Sequence, residues 1–248
     1  MFPYLRLGPF LLQMPLLALL MGLWIGLTFV ERESIRQGLK KEVVNNLVFY
    51  GLIGGIVFAR LGYAAQYASV YLSNPFSLLS LNTNTFLPSA GLVFGTLIAI
   101  GYGYRQKLPL RKTLDALAPG LAFFMIMVGV SHLLSGNAYG EPTQVPWAIY
   151  LWSEYRQPTQ LYEVFLALMI FTVILARVIP ATASGVRFLQ WAALSATARL
   201  LIEGFRGDSV TLFDGYRTAQ VVSLFILIVC ILLFRNWEAR SEHEPSLQ

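Results

Sequence analysis

Seven apolar stretches, each close to the length at which a helix crosses a lipid bilayer, dominate this chain of 248 residues. A membrane-spanning helix needs roughly 20 consecutive apolar residues. Only 12% of the residues are charged, about half the usual fraction in soluble domains. The sequence therefore predicts an all-α integral membrane protein, folded as a bundle of seven transmembrane helices. In chain order, the stretches are residues 9–30, 44–72, 87–104, 114–136, 160–179, 186–205 and 218–234.

Lysine and arginine are concentrated in alternate loops between these stretches. Loops rich in Lys and Arg stay in the cytoplasm, so the amino terminus is predicted outside and the carboxyl terminus inside. The net charge of +5 follows from this topology and gives no reason to expect a nucleic-acid partner. The predicted outer loops hold only Arg156, Arg206 and Arg217. The predicted inner segments hold Arg32, Arg36, Lys40, Lys41, Arg105, Lys107, Arg111, Lys112, Arg177, Arg187, Arg235 and Arg240.

The sequence predicts a single membrane domain over residues 1–235 and a short polar cytoplasmic tail over residues 236–248. The first apolar stretch is predicted to be a retained span, because only Arg6 precedes it as a basic residue and no small-residue cleavage pattern follows. With His132 and His243 as the only histidines and Cys230 as the only cysteine, no metal site is expected. No cofactor is expected either.

Ionisable residues end three of the predicted spans. Arg60 lies near the end of the second span and His132 near the end of the fourth. The sixth ends in Arg199-Leu-Leu-Ile-Glu203-Gly-Phe-Arg206, whose spacing predicts that its three charges share one helix face. The predicted topology places all of them toward the outer half of the bilayer. A charged side chain inside the bilayer has a high free-energy cost unless it is ion-paired or hydrated, so these residues are candidate functional groups.

Each candidate also has a structural interpretation. Arg60 fits snorkelling to lipid headgroups, and Arg199 with Glu203 fits an ion pair that locks two helices. His132 fits a hydrogen-bonded residue of the bundle, and Tyr162 with Glu163 fits interface and capping roles.

Arginine, in contrast, presents planar, permanently charged donors that suit phosphate. Because the abundant phosphate of a bilayer is the phospholipid headgroup, a cationic outer pocket favours a phospholipid ligand.

Several short motifs resemble those of the prolipoprotein diacylglyceryl transferases and occur in the order found in that family. Residues 156–163, Arg-Gln-Pro-Thr-Gln-Leu-Tyr-Glu, are similar to the family's R-H-P-S-Q-L-Y-E, and residues 199–206 to its R-F-x-x-E-F-F-R. Residues 138–149 resemble L-Y-G-R-P-T-D-L-P-W-A-I, with Glu141 at the arginine. Residues 59–63 resemble G-R-L-G-Y, and residues 115–119 resemble D-x-x-A-P.

The resemblance implies a seven-span enzyme at the outer face of the bacterial cytoplasmic membrane. Such enzymes transfer diacylglyceryl from phosphatidylglycerol to the lipobox cysteine thiol of a prolipoprotein signal peptide and release glycerol phosphate. Arg199 and Glu203 would then be catalytic. The residues that would hold the lipid phosphate and headgroup are Arg60, Arg206, Tyr139, Gly140, Arg156, Gln160, Tyr162 and Glu163.

Other family motifs are altered in this chain. The family's G-R-x-G-N-F-x-N-G-E falls on residues 128–137, with Gly129 at its arginine, His132 and Ser135 at its asparagines and Asn137 at its acid. The family's H-G-G falls on residues 89–91, Ser-Ala-Gly, so a histidine is missing.

His132 is the hypothetical replacement base, because a neutral imidazole accepts a thiol proton. The alternative is a catalytically inactive relative that binds lipid or serves as a structural subunit with partners in a membrane complex.

Overall fold

The computed structural model describes residues 4–7, 10–74, 76–77, 85–212 and 215–242. Within these ranges the protein is mostly helical. The helices are α1 (Met14–Arg36), α2 (Lys41–Gln66), α3 (Ala68–Ser73), α4 (Pro88–Arg105), α5 (Leu110–Ser135), α6 (Thr159–Ala176), α7 (Val186–Glu203) and α8 (Thr218–Glu242). The short strands are β1 (Tyr4–Leu7), β2 (Phe10–Gln13), β3 (Ile149–Leu151), β4 (Glu154–Arg156), β5 (Thr211–Leu212) and β6 (Tyr216–Arg217), paired as three hairpins.

Five of the described helices are long and apolar enough to cross a membrane, namely α1, α2, α5, α6 and α8. The predicted helical membrane protein is therefore confirmed, whereas the seven-span arrangement stays a prediction. The other two predicted stretches also form helices, α4 and α7, of 18 residues each. Helix α7 carries Arg187, Arg199 and Glu203, which lower its hydropathy.

Three predicted boundaries differ clearly from the structure. The second stretch was predicted to run to residue 72, but α2 ends at Gln66 and the separate helix α3 follows it. The first apolar stretch was expected from residue 9, but β1 and β2 form an antiparallel hairpin and α1 begins only at Met14. Pro15 lies in the first turn of α1, where a missing backbone N–H breaks no helical hydrogen bond. At the other end, α8 continues to Glu242, so residues 236–242 of the predicted tail are helical. Residues 243–248 lie outside the described part.

The chain divides into two compact units. The first comprises Met1–Gln37 and Arg111–Gln248, and the second comprises Gly38–Leu110. Inside the second unit, α2 and α4 pack backbone to backbone. A Cβ atom at Gly95 would lie 2.7 Å from the carbonyl oxygen of Gly51, and one at Gly91 would lie 2.7 Å from that of Gly55. Small residues permit this close approach of membrane helices.

In the first unit, a carboxylate from α5 caps the amino terminus of α7. Asp115 accepts hydrogen bonds from the backbone N–H groups of Gly185 (2.6 Å) and Phe188 (3.0 Å). The residue before α7 is Gly185, which has no side chain to cap the helix itself. The buried Arg187 donates to the carbonyl of Ile174 near the end of α6 (3.0 Å). The start of α7 is thereby tied to the other two helices.

Trp237 on α8 covers the same turn. A Cβ atom at Gly185 would overlap the Trp237 ring, and the guanidinium of Arg111 lies 4.8 Å from the centre of that ring. The helical part of the predicted tail thus takes part in packing.

Candidate active site

The Glu163 carboxylate lies where the end of α5, the start of α6 and the end of α7 meet. Its Oε2 atom is 2.6 Å from Nδ1 of His132. Its Oε1 atom accepts hydrogen bonds of 3.2 Å from Nη1 of Arg199 and from Nη1 of Arg206. The sequence suggested Glu163 as one headgroup ligand among several, whereas the structure places it at the centre. The Glu163 cluster is defined as His132, Glu163, Arg199, Glu203, Arg206 and Asp208.

Glu203 occupies the last turn of α7 and is only 1% exposed. Its Oε2 atom lies 3.0 Å from Nη2 of Arg199, one helical turn earlier. The same atom lies 4.0 Å from Nε of Arg206. The predicted shared helix face is wrong for Arg206, because α7 ends at Glu203 and Arg206 follows a turn through Gly204. Arg206 reaches the cluster from the segment beyond the helix.

Asp208 binds Arg206 through a bidentate ion pair that was not predicted from the sequence. Arg206 donates from Nε to Oδ1 (2.9 Å) and from Nη2 to Oδ2 (3.0 Å) of Asp208. Asp208 Oδ2 also accepts a hydrogen bond from the backbone N–H of Ala138 (3.0 Å). These contacts leave Nη1 of Arg206 directed at Glu163. An acidic residue two positions after a functional arginine was the signal available in the sequence.

Side chains from the start of α6 and from the β3–β4 hairpin hold the segment that follows α5. Trp152 donates to the carbonyl of Gly136 (3.1 Å), and Gln160 to that of Asn137 (3.0 Å). Thr159 donates to the carbonyl of Ala138 (2.5 Å). Gln160 is fully buried, so the structure gives this predicted headgroup ligand a positioning role.

Tyr139 and Gly140 lie in a backbone ladder beside the cluster. The carbonyl of Tyr139 accepts a hydrogen bond from the N–H of Gly207 (2.9 Å), and Gly140 pairs with Arg206 as an antiparallel bridge. A Cβ atom at Gly140 would overlap the carbonyl oxygen of Gln157. The backbone approaches so closely that only glycine fits.

Arg217 is a second residue that the sequence reading missed. Its Nη1 atom donates to the backbone carbonyls of Glu203 and Arg206, which caps the end of α7. Its Nη2 atom pairs with the carboxylate of Glu141, the residue that stands at the arginine of the family's motif.

Arg156 and Tyr162 bind neighbouring groups on the outer segments. Arg156 contacts Glu154 (2.5 Å), donates to the carbonyl of Gly140 (3.3 Å) and lies 5.0 Å above the ring of Tyr139. The hydroxyl of Tyr162 donates to Gln157 (2.9 Å) and accepts a hydrogen bond from Trp147 (2.7 Å). These residues organise the surroundings of the cluster.

Arg60 lies in the second unit. Its guanidinium donates to the carbonyls of Thr85 (3.0 Å) and Ser77 (2.7 Å), and it faces the rings of Tyr71 and Phe86 at 5.8 and 5.5 Å. Within its own unit this predicted phosphate ligand therefore ties the start of α4 to α2.

An apolar channel runs from the cluster between α5, α6 and α7. His132, Glu163 and Arg199 form its polar end. Its walls are made largely of aliphatic side chains such as Leu166 and Ile170. A site with a charged end and an apolar body suits an amphipathic ligand.

The cluster combines a potential base with potential anion ligands. A carboxylate beside Nδ1 of His132 favours the neutral tautomer with its proton on that nitrogen, in which Nε2 is the proton acceptor. The cluster contains two guanidinium groups and three carboxylates, so each guanidinium is already paired. Arg199 is 36% exposed and Arg206 only 11%, which makes Arg199 the more accessible ligand. No three described His, Cys, Asp or Glu side chains are placed to hold a metal ion.

Known proteins resemble this chain along nearly all of its length. A family model described as prolipoprotein diacylglyceryl transferase matches residues 4–235. A phosphatidylglycerol–prolipoprotein diacylglyceryl transferase of Halalkalibacterium halodurans is 26% identical over 96% of this chain and 86% of its own length. A protein of the same name from Trichormus variabilis is 26% identical over 88% of this chain and 83% of its own length. One from Shouchella clausii is 26% identical, with 93% and 88% covered. The chain belongs to the prolipoprotein diacylglyceryl transferase family.

Proposed function

We propose that this protein transfers a diacylglyceryl group from phosphatidylglycerol to the thiol of a lipobox cysteine in a prolipoprotein. The observation that carries the proposal is the double role of Glu163, which contacts a histidine through one oxygen and two arginines through the other. A base and a pair of phosphate ligands are thereby held side by side at the end of an apolar channel.

His132 is proposed as the base. Glu163 orients the imidazole and stabilises the positive charge that forms when Nε2 takes the thiol proton, as a carboxylate does for histidine in hydrolases. The thiolate then attacks the glycerol carbon that is bonded to the phosphate oxygen. A carbon–sulfur bond forms, the carbon–oxygen bond breaks, and glycerol phosphate leaves with the bonding electrons. The side chain of His132 is 30% exposed, so a substrate thiol can reach it.

Arg199 and Arg206 are proposed to stabilise the charge on the departing phosphate. Glu203 positions Arg199 from the previous turn, and Asp208 positions Arg206. A phosphate must share these guanidinium groups with the carboxylates that pair with them. Guanidinium carries five N–H donors, so one group can hold a carboxylate and a phosphate together.

We infer that the protein spans the bacterial cytoplasmic membrane seven times, with its amino terminus outside. The end of α5, the start of α6 and the end of α7 meet at the Glu163 cluster, as expected when successive helices cross in opposite directions. The other ends of these helices carry Arg111, Lys112, Arg177 and Arg187, which supports a cytoplasmic location for that side.

A lipid-binding relative without transferase activity is the competing proposal. The observation that favours it is the pairing of both cluster arginines with carboxylates. Such a protein would hold phospholipid within a membrane complex.

The test is transfer in vitro. The full chain in detergent is incubated with phosphatidylglycerol and a lipobox peptide, and diacylglyceryl peptide is detected by its mass. A peptide with serine in place of cysteine and a reaction without enzyme are the controls. Product that is lost in His132→Ala supports the proposed mechanism. No product above the controls, with phospholipid still bound, identifies the inactive relative.

A further inference from the structure

Trp191 on α7 lines the apolar channel and carries a buried polar donor. Its indole Nε1 has no hydrogen-bond partner among the described residues, although its ring packs against Phe188 with the centres 5.3 Å apart. Buried polar groups in proteins are nearly always paired. An unpaired donor on a residue of the channel wall points to an acceptor on a ligand, which a small turn of the indole ring would bring into reach.

Ser195 lines the same channel one turn nearer to the cluster. Hydroxyl groups on helices commonly bond to the carbonyl one turn back, as Thr172 and Thr197 do here at 2.9 Å each. In the part of the chain that the structure describes, Ser195 makes no such bond. Its hydroxyl is therefore available to a ligand.

Trp191, Ser195 and Arg199 are spaced four residues apart, so they follow one another along one face of α7. Each step rises about 6 Å along the helix axis. In a diacyl glycerophospholipid, the ester carbonyls lie just beyond the phosphate, separated from it by the glycerol carbons. A phosphate at Arg199 thus brings ester oxygens to the level of the next donors.

We propose that Ser195 and Trp191 donate hydrogen bonds to the ester carbonyl oxygens of a diacyl glycerophospholipid in this channel. The two residues select ester-linked over ether-linked lipid, because an ether lacks the carbonyl acceptor. This inference rests on the proposed function, since the ligand is the donor lipid of that reaction and its headgroup lies at the Glu163 cluster.

The experiment measures lipid preference in one sample. The full chain in detergent receives equal amounts of diacyl phosphatidylglycerol and its dialkyl ether analogue with matched chains, and native mass spectrometry gives the ratio of the bound lipids. We expect a preference of about 25-fold for the diacyl lipid, since each of the two neutral hydrogen bonds contributes about fivefold. Ser195→Ala and Trp191→Phe each reduce this ratio, and the double variant binds both lipids equally.

Ile170→Val is the control, because it alters the channel wall without touching a donor. It is expected to lower total binding and to leave the ratio unchanged. The ratio compares two lipids that compete for the same folded protein in one sample. Misfolded protein that binds neither lipid therefore does not change the ratio. A ratio near one in the unmodified protein, a ratio that survives the double substitution, or no bound lipid overturns the inference.

The transfer assay is run on the same samples to separate the two proposals. If the protein prefers the diacyl lipid as expected but transfers no diacylglyceryl group, the transferase proposal is refuted and the proposed contact with the ester carbonyls is retained. Transfer with no preference for ester lipid refutes the ester contact alone.

Discussion

Gly129 on α5 lies so close to Val164 on α6 that a side chain at position 129 would require the two helices to move apart. A Cβ atom at Gly129 would lie 2.9 Å from Cγ2 of Val164 and 3.1 Å from its backbone nitrogen. The arginine of the family's altered motif falls on Gly129. Helices α5 and α6 pack closely at this position. An arginine at position 129 is therefore incompatible with the helix packing around Glu163.

Gly129→Ala is expected to destabilise the protein by about 1–3 kcal/mol, because the added methyl group must push α6 away. The measurement is the apparent Tm in detergent. Gly101→Ala is the matched control, since a Cβ atom at Gly101 meets open space and alanine is the better helix former by about 1 kcal/mol. Equal Tm changes in the two variants would show that the contact with Val164 is not tight.

Glu163→Gln is expected to lower kcat for diacylglyceryl transfer by about 10²–10⁴, the usual contribution of a positioned base. The side chain keeps its size but no longer stabilises a charged His132. Both arginines lose a competing carboxylate, so phospholipid binding is expected to be unchanged or tighter. Lipid binding and single-turnover transfer are measured separately. Glu154→Gln, at an exposed carboxylate, is the control, and equal losses in both variants would refute the role of Glu163.

Asp208→Asn is expected to raise KM for the phospholipid by about ten- to a hundredfold with a smaller effect on kcat, because charged hydrogen bonds to Arg206 are lost. The variant keeps the size of the side chain. A double-mutant cycle with Arg206→Lys should show strong coupling, since the two residues touch. Additive effects of the two substitutions on KM would show that Asp208 does not act through Arg206.

Trp237→Ala is expected to lower stability by about 1–3 kcal/mol, because the ring covers Gly185 and faces Arg111. Removal of all residues after Arg235 should have the same effect on the apparent Tm. Removal of residues 243–248 is the control and should leave the Tm unchanged. If the two truncations behave alike, the Trp237 contact contributes nothing to stability.

Among the described residues, hydropathy located each of the seven helices of 18 or more residues, because their apolar stretches exceed the lengths common in soluble proteins. It misjudged the first boundary, since residues 10–13 continue the apolar stretch but form strand β2 of a hairpin. Apolar residues alone do not separate a short strand from the beginning of a helix.

Local motifs in the sequence identified the residues of the site. They did not predict which of these residues contact one another. Glu163 meets Arg199 and Arg206 across 36 and 43 positions of the chain, and Asp208 meets Ala138 across 70. Helical spacing relates only neighbours on one helix, so it paired Arg199 with Glu203 and missed the larger cluster. The roles of Gln160 and Arg60 in holding backbone carbonyls likewise depend on distant segments.

The cap that Asp115 places on α7 has a consequence for the opposite end of that helix. A carboxylate that holds two N–H groups of the first turn sets how far α7 can slide along its own axis. Arg199 lies eleven residues beyond Phe188, about 16 Å along the helix, and a slip of one turn would carry it about 5.4 Å from Glu163. By fixing the axial position of α7 at its first turn, Asp115 determines whether Arg199, at the far end of the helix, lies level with Glu163 on α6.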